Sequence, residues 1–207
     1  MLARGSGPFV GIPLCFFLAF LALRVFFGWV FIVPTIIFLV ILVFMLMFFR
    51  DPQRNIGDGI VAPADGVIQK VEYADGQARI VTFMNIHNVH VNRCPASGRV
   101  KKVERGKGGF APAYAKGAAL NEQVRITLET DIGEVRIVQI VGAVARRIVP
   151  YVKEGQSLSK GERIGMIRFG SRVDVCLPKD RVRIQVKAGQ RVRAGETTVA
   201  IPDVQMG

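Results

Sequence analysis

The chain has 207 residues, half of them hydrophobic, with 28 Lys or Arg against 16 Asp or Glu and a formal net charge of +12. This composition excludes an intrinsically disordered chain and a small disulfide-stabilised protein, and the length excludes a large multidomain enzyme. The charge is unevenly distributed, because residues 1–49 contain only Arg4 and Arg24 as charged residues and the remaining 158 carry a net +10. Residues 1–49 are therefore suited to a lipid bilayer, and residues 50–207 are suited to water.

The first 49 residues contain two apolar runs, 8–23 and 25–49, separated by Arg24. A helix needs about 20 apolar residues to cross a bilayer, so the second run is long enough alone and the first is short. The pattern favours an α-helical membrane hairpin with two crossings, and one crossing preceded by a re-entrant or interfacial segment is the alternative. A cleaved signal peptide is disfavoured, because no A-x-A site follows the first run.

The charge around the apolar segment predicts its orientation. Two crossings would place the N-terminus and residues 50–207 on one side of the cell membrane, and Arg50, Arg54 and the basic surplus place that side in the cytoplasm. The basic domain would then face anionic lipid headgroups. The three cysteines form no disulfide framework, which is typical of a reducing compartment.

Residues 50–207 have the pattern of a mainly β domain, with short Val- and Ile-rich runs separated by Asp-Gly, Gly-Gly or Lys-Gly. The Gly- and Ala-rich stretch 105–120 is expected to form either a mobile loop or short helix near the lipid, or a surface linker without a role. The predicted strands are Val67–Val71, Arg79–Phe83, Val89–Val91, Val124–Leu128, Val135–Val141, Ile164–Ile167, Val173–Leu177 and Val182–Val186.

An internal repeat aligns residues 152–162 with 186–196, and each copy fits a strand, a glycine turn and a strand. Together with Val61–Val67, this pattern of short strands and glycine turns resembles the barrel-sandwich hybrid of biotinyl and lipoyl carrier domains. Those carriers present a modifiable lysine at a hairpin tip, which the sequence lacks, so the resemblance concerns the fold alone.

The only two histidines, His87 and His90, lie three residues apart, so any mechanism that needs imidazole must use this pair. On a straight strand their rings would face opposite sides, so they serve one site only if the chain bends or the strand begins there. Two alternatives remain open, namely a pair of half-exposed structural residues and a metal site with Cys94. We expect no metal, because no second cluster supplies a fourth ligand.

Six motifs in sequence order extend over nearly the whole chain. They are Phe48–Arg54, Ala62–Gly66, Asn85–His90, Asn121–Glu122, Val144–Val149 and Ile167–Asp174. Taken alone, Gly170-Ser171 and Asp65-Gly66 indicate only turns. Together and in this order, the six motifs resemble the short form of phosphatidylserine decarboxylase, and their number and order make the resemblance specific.

The resemblance implies a proenzyme that cuts its own backbone between Gly170 and Ser171, giving fragments 1–170 and 171–207 that remain together as a heterodimer. Ser171 would become a covalent pyruvoyl group, the only cofactor expected. By the same resemblance His90 is the base for self-cleavage, Asp65 orients His90, and His87 assists decarboxylation. The expected product is phosphatidylethanolamine.

The implied chemistry is physically coherent. Loss of CO2 from an amino acid leaves a carbanion that needs an electron sink, usually reached through an imine to a cofactor. A ketone at the start of a chain can form that imine with the substrate amine and accept the electron pair.

Several residues are candidates for binding the phospholipid substrate. Basic ones would contact its phosphate, and aromatic ones would lie among its acyl chains. For Arg50 and Arg54, membrane topology and attraction to anionic lipid are the favoured interpretation. One of Arg146 and Arg147 could also bind phosphate. The candidates are Arg50, Arg54, Lys107, Phe110, Tyr114 and Lys116.

Nucleic acid is not expected, because the basic residues are dispersed without a recognition motif. The rival to an enzyme is a membrane-anchored barrel-sandwich adaptor protein, which would remain uncut, but the coiled-coil heptads typical of that class are absent. A homo-oligomer of the cleaved heterodimer remains open.

Overall fold

The computed structural model describes residues 1–106, 108–109, 121–142, 147–168 and 171–203, with the Ser171 side chain excepted. The chain forms two compact units, Met1–Gln53 and Arg54–Gly207.

The N-terminal unit contains two antiparallel helices, α1 (Gly7–Phe27) and α2 (Ile32–Phe48), joined by a 3-10 turn at Gly28–Phe31. Phe16 of α1 stacks on Phe38 of α2 with ring centroids 4.9 Å apart, and Phe9 lies 5.2 Å from Phe49 at the open end. These ring contacts join the middle of α1 to the middle of α2 and the start of α1 to the residue after α2, as a hairpin requires.

The segment Gly7–Phe48 is long and apolar enough to cross a membrane, and most of its surface is exposed. At about 1.5 Å per residue, the 21 residues of α1 span about 31 Å and the 17 of α2 about 25 Å. These lengths are close to the hydrocarbon thickness of a bilayer, about 30 Å. The segment therefore suggests membrane association, while the number of crossings stays a prediction.

The second unit is mainly β, as predicted. Its strands in the described residues are β1 (Ile60–Val61), β2 (Gly66–Ala74), β3 (Gln77–Met84), β4 (Val91–Arg93), β5 (Gly98–Gly106), β6 (Gln123–Thr130), β7 (Gly133–Val141), β8 (Arg147–Pro150), β9 (Ser157–Leu158), β10 (Arg163–Arg168), β11 (Ser171–Pro178), β12 (Val182–Ile184), β13 (Arg191–Val192) and β14 (Thr198–Pro202).

Within the described residues these strands form one large sheet and two small ones. The large sheet has the order β13-β2-β3-β11-β7-β6-β5-β9, and the small ones are β1-β14-β12 and β4-β10-β8. Strand β11 pairs antiparallel with β3 on one side and β7 on the other. Its inward positions Val173, Val175 and Leu177 are fully buried in the apolar core. The strand that would begin the shorter fragment is thus central to the large sheet.

Each of the eight predicted strands has a counterpart, but one long strand was not predicted. In β5 only Val100 and Val103 are apolar, and a bulge between Val100 and Lys102 interrupts the alternation that marks a strand. Residues 105 and 106 consequently belong to β5 and not to the expected loop; residues 107 and 110–120 lie outside the described part.

The internal repeat is visible as equivalent hydrogen bonds. In the first copy the Gly155 N–H donates to the Val100 carbonyl at 2.8 Å, and in the second the Gly189 N–H donates to the Ile68 carbonyl at 2.8 Å. Both glycines have positive φ, 82° and 85°, a conformation that other residues rarely adopt. The two copies thus make the same turn against two different segments of the chain.

Those two segments are themselves a repeat that the sequence analysis did not detect. Residues 62–68 read Ala-Pro-Ala-Asp-Gly-Val-Ile, and residues 94–100 read Cys-Pro-Ala-Ser-Gly-Arg-Val. The Val61 N–H donates to the Pro95 carbonyl at 2.9 Å, and the Arg93 N–H donates to the Pro63 carbonyl at 2.8 Å. In the alignment of the two segments, Val61 corresponds to Arg93 and Pro63 to Pro95, so each bond is the equivalent of the other. This part of the unit therefore has an internal two-fold pseudosymmetry.

Candidate active site

The two histidines are separated by a turn. The Asn88 N–H donates to the Asn85 carbonyl at 2.9 Å, and the Asn88 side-chain oxygen accepts the Asn85 N–H at 2.7 Å. His87 is exposed on this turn, whereas His90, just before β4, is completely buried. The bend that both rings would need to serve one site is present, and it gives them different environments. It also explains why the strand predicted from Val89 begins only at Val91.

The main chain fixes the tautomer of His90. Its Nδ1 lies 2.9 Å from the Asn88 carbonyl oxygen. A carbonyl can only accept, so Nδ1 carries the proton and the lone pair of the neutral ring is on Nε2. His90 is therefore held in the form in which Nε2 can act as a base. No feature of the sequence indicated this carbonyl, and the orienting role that the resemblance implies for Asp65 stays a prediction.

Asp65 is buried and accepts hydrogen bonds from two sources. The Arg54 Nη2 contacts both carboxylate oxygens at 2.9 and 3.0 Å, and the Ala194 N–H donates at 2.8 Å. Arg54 also faces Glu196 at 3.5 Å, and its side chain is only 7 % exposed. Arg54, expected to be a lipid contact, is thus engaged with two carboxylates.

Asp65 lies on a segment that runs beside the His90 segment. The bonds that join Val61 to Pro95 and Arg93 to Pro63 pair these segments antiparallel. If the same register continued for two more residues, position 65 would lie opposite Val91, next to His90. The hydrogen bonds of Asp65 in the described residues go to Arg54 and Ala194, so its pairing with His90 stays a prediction.

Ser171 is the first residue of β11, and its backbone pairs with Met84 of β3 and Val141 of β7. Met84 directly precedes the histidine turn. On the other side of the junction, the Ile167 N–H in β10 donates to the His90 carbonyl at 3.3 Å. The chain thus contacts His90 through β10, shortly before the Gly170-Ser171 junction. After the junction, β11 starts beside the turn that carries the histidines. Gly170 itself lies outside the described residues.

A buried amide pair that the sequence analysis missed joins the histidine strand to the large sheet. The Gln139 Nε2 of β7 donates to the Asn92 Oδ1 of β4 at 2.7 Å, and the Asn92 Nδ2 contacts the Met84 Sδ at 3.6 Å. Asn92 and Gln139 are both completely buried. The sequence contains one indication of this pair, because the polar residue Gln139 interrupts the apolar run from Ile137 to Val141.

An ion-pair cluster holds the beginning of β11. Asp174 is fully buried and accepts from the Arg172 Nε at 2.7 Å and the Arg79 Nε at 2.9 Å. Burial acts to lower the pKa of Arg79, but the Asp174 carboxylate outweighs it and the pKa is raised. Arg79 lies in the larger expected fragment and Asp174 in the smaller one, so this ion pair would connect the two.

The remaining predicted substrate contacts are only partly described. The Arg50 Nη1 donates to the Met47 carbonyl at 2.7 Å within the N-terminal unit. Arg147 is exposed at the start of β8 and is the register partner of Arg168 in β10. Outside the described residues lie Lys107, Phe110, Tyr114, Lys116 and Arg146.

The two cysteines of the β unit do not have the properties of nucleophiles. Each of the three, all within the described residues, is a free thiol. Burial raises the pKa of Cys94 to about 12 and also raises that of Cys176, so both are neutral near pH 7. In the described part of the chain, no group of three or more His, Cys, Asp or Glu side chains is arranged to hold a metal ion.

Comparison with known proteins identifies relatives over most of the chain. The family model for phosphatidylserine decarboxylase matches residues 41–200. A phosphatidylserine decarboxylase proenzyme of Streptomyces griseus is 51 % identical over 157 residues, 75 % of this chain and 73 % of the relative. One of Thermobifida fusca is 53 % identical over 155 residues, 74 % and 71 % of the two chains. A protein of Halobacterium salinarum provisionally named archaetidylserine decarboxylase proenzyme is 50 % identical over 161 residues, 76 % and 80 %.

Proposed function

The chain belongs to the phosphatidylserine decarboxylase family, and we propose that it converts phosphatidylserine to phosphatidylethanolamine with a pyruvoyl group made from its own Ser171. The observation that carries the assignment of residues is the position of the Ser171 backbone. It pairs with Met84, immediately before the turn that leads to a buried His90 with its lone pair on Nε2.

Self-cleavage needs a nucleophile and a base. The Ser171 Oγ attacks the Gly170 carbonyl carbon while the His90 Nε2 takes the hydroxyl proton, and the peptide bond is exchanged for an ester. Elimination of that ester frees the Gly170 carboxylate and leaves a dehydroalanine, which takes up water and releases ammonia to become the pyruvoyl group. Burial of His90 supports its role in this internal reaction, which no substrate has to reach.

The described contacts of β11 support a pyruvoyl group at a new chain start. Such a ketone withdraws the electron pair that remains when CO2 departs. The ladder to β3 and β7 and the Asp174 ion pairs would keep the strand in place after the cut. His87 is exposed, as a residue that meets an external substrate must be, and we assign to it the proton transfer that accompanies decarboxylation.

Two histidine variants test these roles. His90→Ala should leave a full-length chain of 207 residues, because the hydroxyl at 171 lacks a base. His87→Ala should still yield fragments of 170 and 37 residues but lose most turnover. Intact mass spectrometry of each purified protein, with phosphatidylethanolamine formation measured in parallel, distinguishes the two effects. The reverse pattern would exchange the roles, and an active wild-type preparation that is entirely uncut would refute the proposal.

The N-terminal hairpin is assigned to membrane attachment. A diacyl lipid does not travel through water, so an enzyme held at the bilayer shares the two-dimensional phase that contains its substrate. We place the β unit on the cytoplasmic side of the cell membrane, since its net charge is positive. For its fold we propose a barrel-sandwich hybrid, supported by the two-fold pseudosymmetry of the repeated segments.

A further inference from the structure

Two buried polar side chains lie on either side of β11, close to the predicted cleavage site. Thr82 of β3 and Gln139 of β7 are both register partners of Val173, two residues after Ser171. Neither side chain is more than 1 % exposed. Adjacent strands are about 4.8 Å apart, so the two backbones are separated by roughly 10 Å across β11. The residues before and after them on the same face belong to the apolar core, namely Ile80, Met84, Ile137 and Val141.

Each of these two side chains has an oxygen without a partner. The Thr82 Oγ1 and the Gln139 Oε1 are buried, and neither has a hydrogen-bond partner among the described residues. The amide nitrogen of Gln139 is engaged, since Nε2 donates to Asn92. Buried polar groups in native proteins are hydrogen-bonded as a rule, because an unpaired one lowers stability. Two unpaired oxygens at the same register position therefore point to a shared partner.

The packing of β3 does not explain the hydroxyl of Thr82. Its methyl group has a packing role, because Cγ2 lies 3.1 Å from the place that a Cβ on Gly66 would take. Valine is β-branched in the same way and would supply that methyl group without a hydroxyl. Gly66 directly follows Asp65, so Thr82 lies between the segment of the predicted acid and the strand of the predicted nucleophile. This position favours a role of the hydroxyl in the reaction.

A water molecule is the partner that suits both oxygens. The Gln139 Oε1 can only accept a hydrogen bond, and the Thr82 hydroxyl can accept one as well. One water donates two hydrogen bonds, and buried waters usually bind otherwise unpaired polar groups in this way. Asn92 adds to the polar lining, because it contacts both Gln139 and Met84, the register partner of Ser171.

We propose that Thr82 and Gln139 hold the water that completes the pyruvoyl group. This role rests on the proposed function, in which the cut after Gly170 leaves a dehydroalanine at position 171. In its imine form the water oxygen bonds to the α-carbon, and the nitrogen takes up both water protons and leaves as ammonia, so that a C=O remains. A water whose protons are held by the two side chains presents a lone pair to that carbon, and its position is fixed before the reaction.

The test follows the chemical state of residue 171 while the full-length protein matures. Samples are quenched in denaturant with borohydride, which reduces an unhydrolysed imine to alanine and the finished ketone to a lactyl group. N-terminal sequencing of the 37-residue fragment then shows alanine for the first and a blocked end for the second. The ratio of the two among cut chains does not depend on how fast the chain is cut.

Thr82→Val is the primary variant, because it removes the hydroxyl and keeps the branched shape. Cutting should proceed near the wild-type rate, while conversion of imine to ketone should be about tenfold slower, the factor expected for one hydrogen bond. Thr82→Ser retains the hydroxyl and should retain most of the rate. Thr127→Val is the matched control, since Thr127 is also buried but lies in β6, which pairs with β5 and β7.

A second variant tests whether one water is shared. Gln139→Met removes the other oxygen and keeps the length of the side chain. It also removes the contact with Asn92 and should slow the cut, but the imine-to-ketone ratio isolates the later step. If both side chains hold the same water, the double variant should convert imine to ketone no more slowly than the slower single variant, because the effects of residues with a shared partner do not add.

Four results would overturn the assignment. They are ketone formation at the wild-type rate in Thr82→Val, an equal delay in Thr127→Val, effects of Thr82→Val and Gln139→Met that multiply in the double variant, and a Thr82→Val chain that stays uncut while Thr82→Ser is cut. In each case the wild type still cuts itself and decarboxylates, so only the water site is removed. A wild-type protein that neither cuts itself nor decarboxylates removes the proposed function.

Discussion

At the scale of single residues, Asp65 combines a structural contact with a predicted catalytic one. Its carboxylate accepts the Ala194 N–H at 2.8 Å, and at the equivalent place in the other half of the repeat the Ser97 hydroxyl accepts the Lys160 N–H at 3.0 Å. A hydroxyl is therefore sufficient for the turn. Asp65 differs from Ser97 in that it also carries a negative charge, and it lies on the segment that runs beside the His90 segment.

This equivalence predicts the behaviour of Asp65→Ser. The variant should fold, because serine retains the hydrogen bond to Ala194 and Arg54 retains Glu196. If the carboxylate supports the imidazolium of His90, self-cleavage should slow by about 10³-fold or more, as when the acid of a catalytic triad is lost. The rate of fragment appearance on a gel, together with the melting temperature, measures both effects.

The matched control is Ser97→Ala, which removes the equivalent turn contact and should leave the cleavage rate unchanged. Asp65→Ser cleaving as fast as the wild type would limit Asp65 to a structural role and leave the Asn88 carbonyl as the group that orients His90.

At the scale of secondary-structure elements, the site depends on how β4 lies against the large sheet. Gln139 of β7 reaches Asn92 of β4 and lies against Gly165, where an added Cβ would be 2.9 Å from the Gln139 Nε2. Strand β7 pairs with Ser171, and His90 precedes Asn92 by two residues. The amide pair therefore connects the element that bears the base to the sheet that bears the nucleophile.

Shortening this connection should slow self-cleavage. Gln139→Asn is one methylene too short to reach Asn92, so we expect an approximately tenfold lower rate, since removing one partner leaves a buried amide unpaired. The double variant Gln139→Asn with Asn92→Gln moves the methylene to the other side and should recover most of the rate. Pulse-chase measurement of the uncut chain provides the rates.

Thermal unfolding of the same proteins separates positioning from stability. We expect the double variant to recover the cleavage rate even if its melting temperature stays below that of the wild type. A cleavage rate that simply follows the melting temperature through the wild type and both variants would contradict the positioning role.

At the scale of the whole molecule, the cleavage site determines how the fragments stay together. Residues 171–207 supply β11 in the middle of the large sheet and also β12, β13 and β14. In the described residues β11, β13 and β14 pair with strands of residues 1–170, β12 pairs with β14, and Arg79 and Asp174 add an ion pair across the cut. Separation would expose the apolar core.

We therefore expect the 37-residue fragment to remain bound after the cut. In mild detergent both fragments should elute together in size-exclusion chromatography, even after extensive dilution, and should separate only in denaturant. Loss of the small fragment on dilution would contradict the central position of β11.

Much of the β architecture and most of the candidate chemistry could be predicted from the sequence. The eight predicted strands were detectable because alternation and turn residues are local features, and β5 was missed because its bulge removes that alternation. The repeat of residues 62–68 in 94–100 was present in the sequence and would have indicated that Asp65 and Ser97 are equivalent. The scarcity of histidine likewise identified His87 and His90 without any coordinates.

By itself, the sequence determined that a strongly apolar segment precedes a basic β domain, and which few side chains are available for imidazole chemistry. Only the tertiary structure decided that a backbone carbonyl holds the tautomer of His90, that Arg54 is engaged by Asp65 and Glu196, and that Arg147 faces Arg168. The physical reason is range: hydropathy and turn propensity act between neighbours in the chain, whereas these contacts depend on sheet order and register, which the packing of the whole core selects.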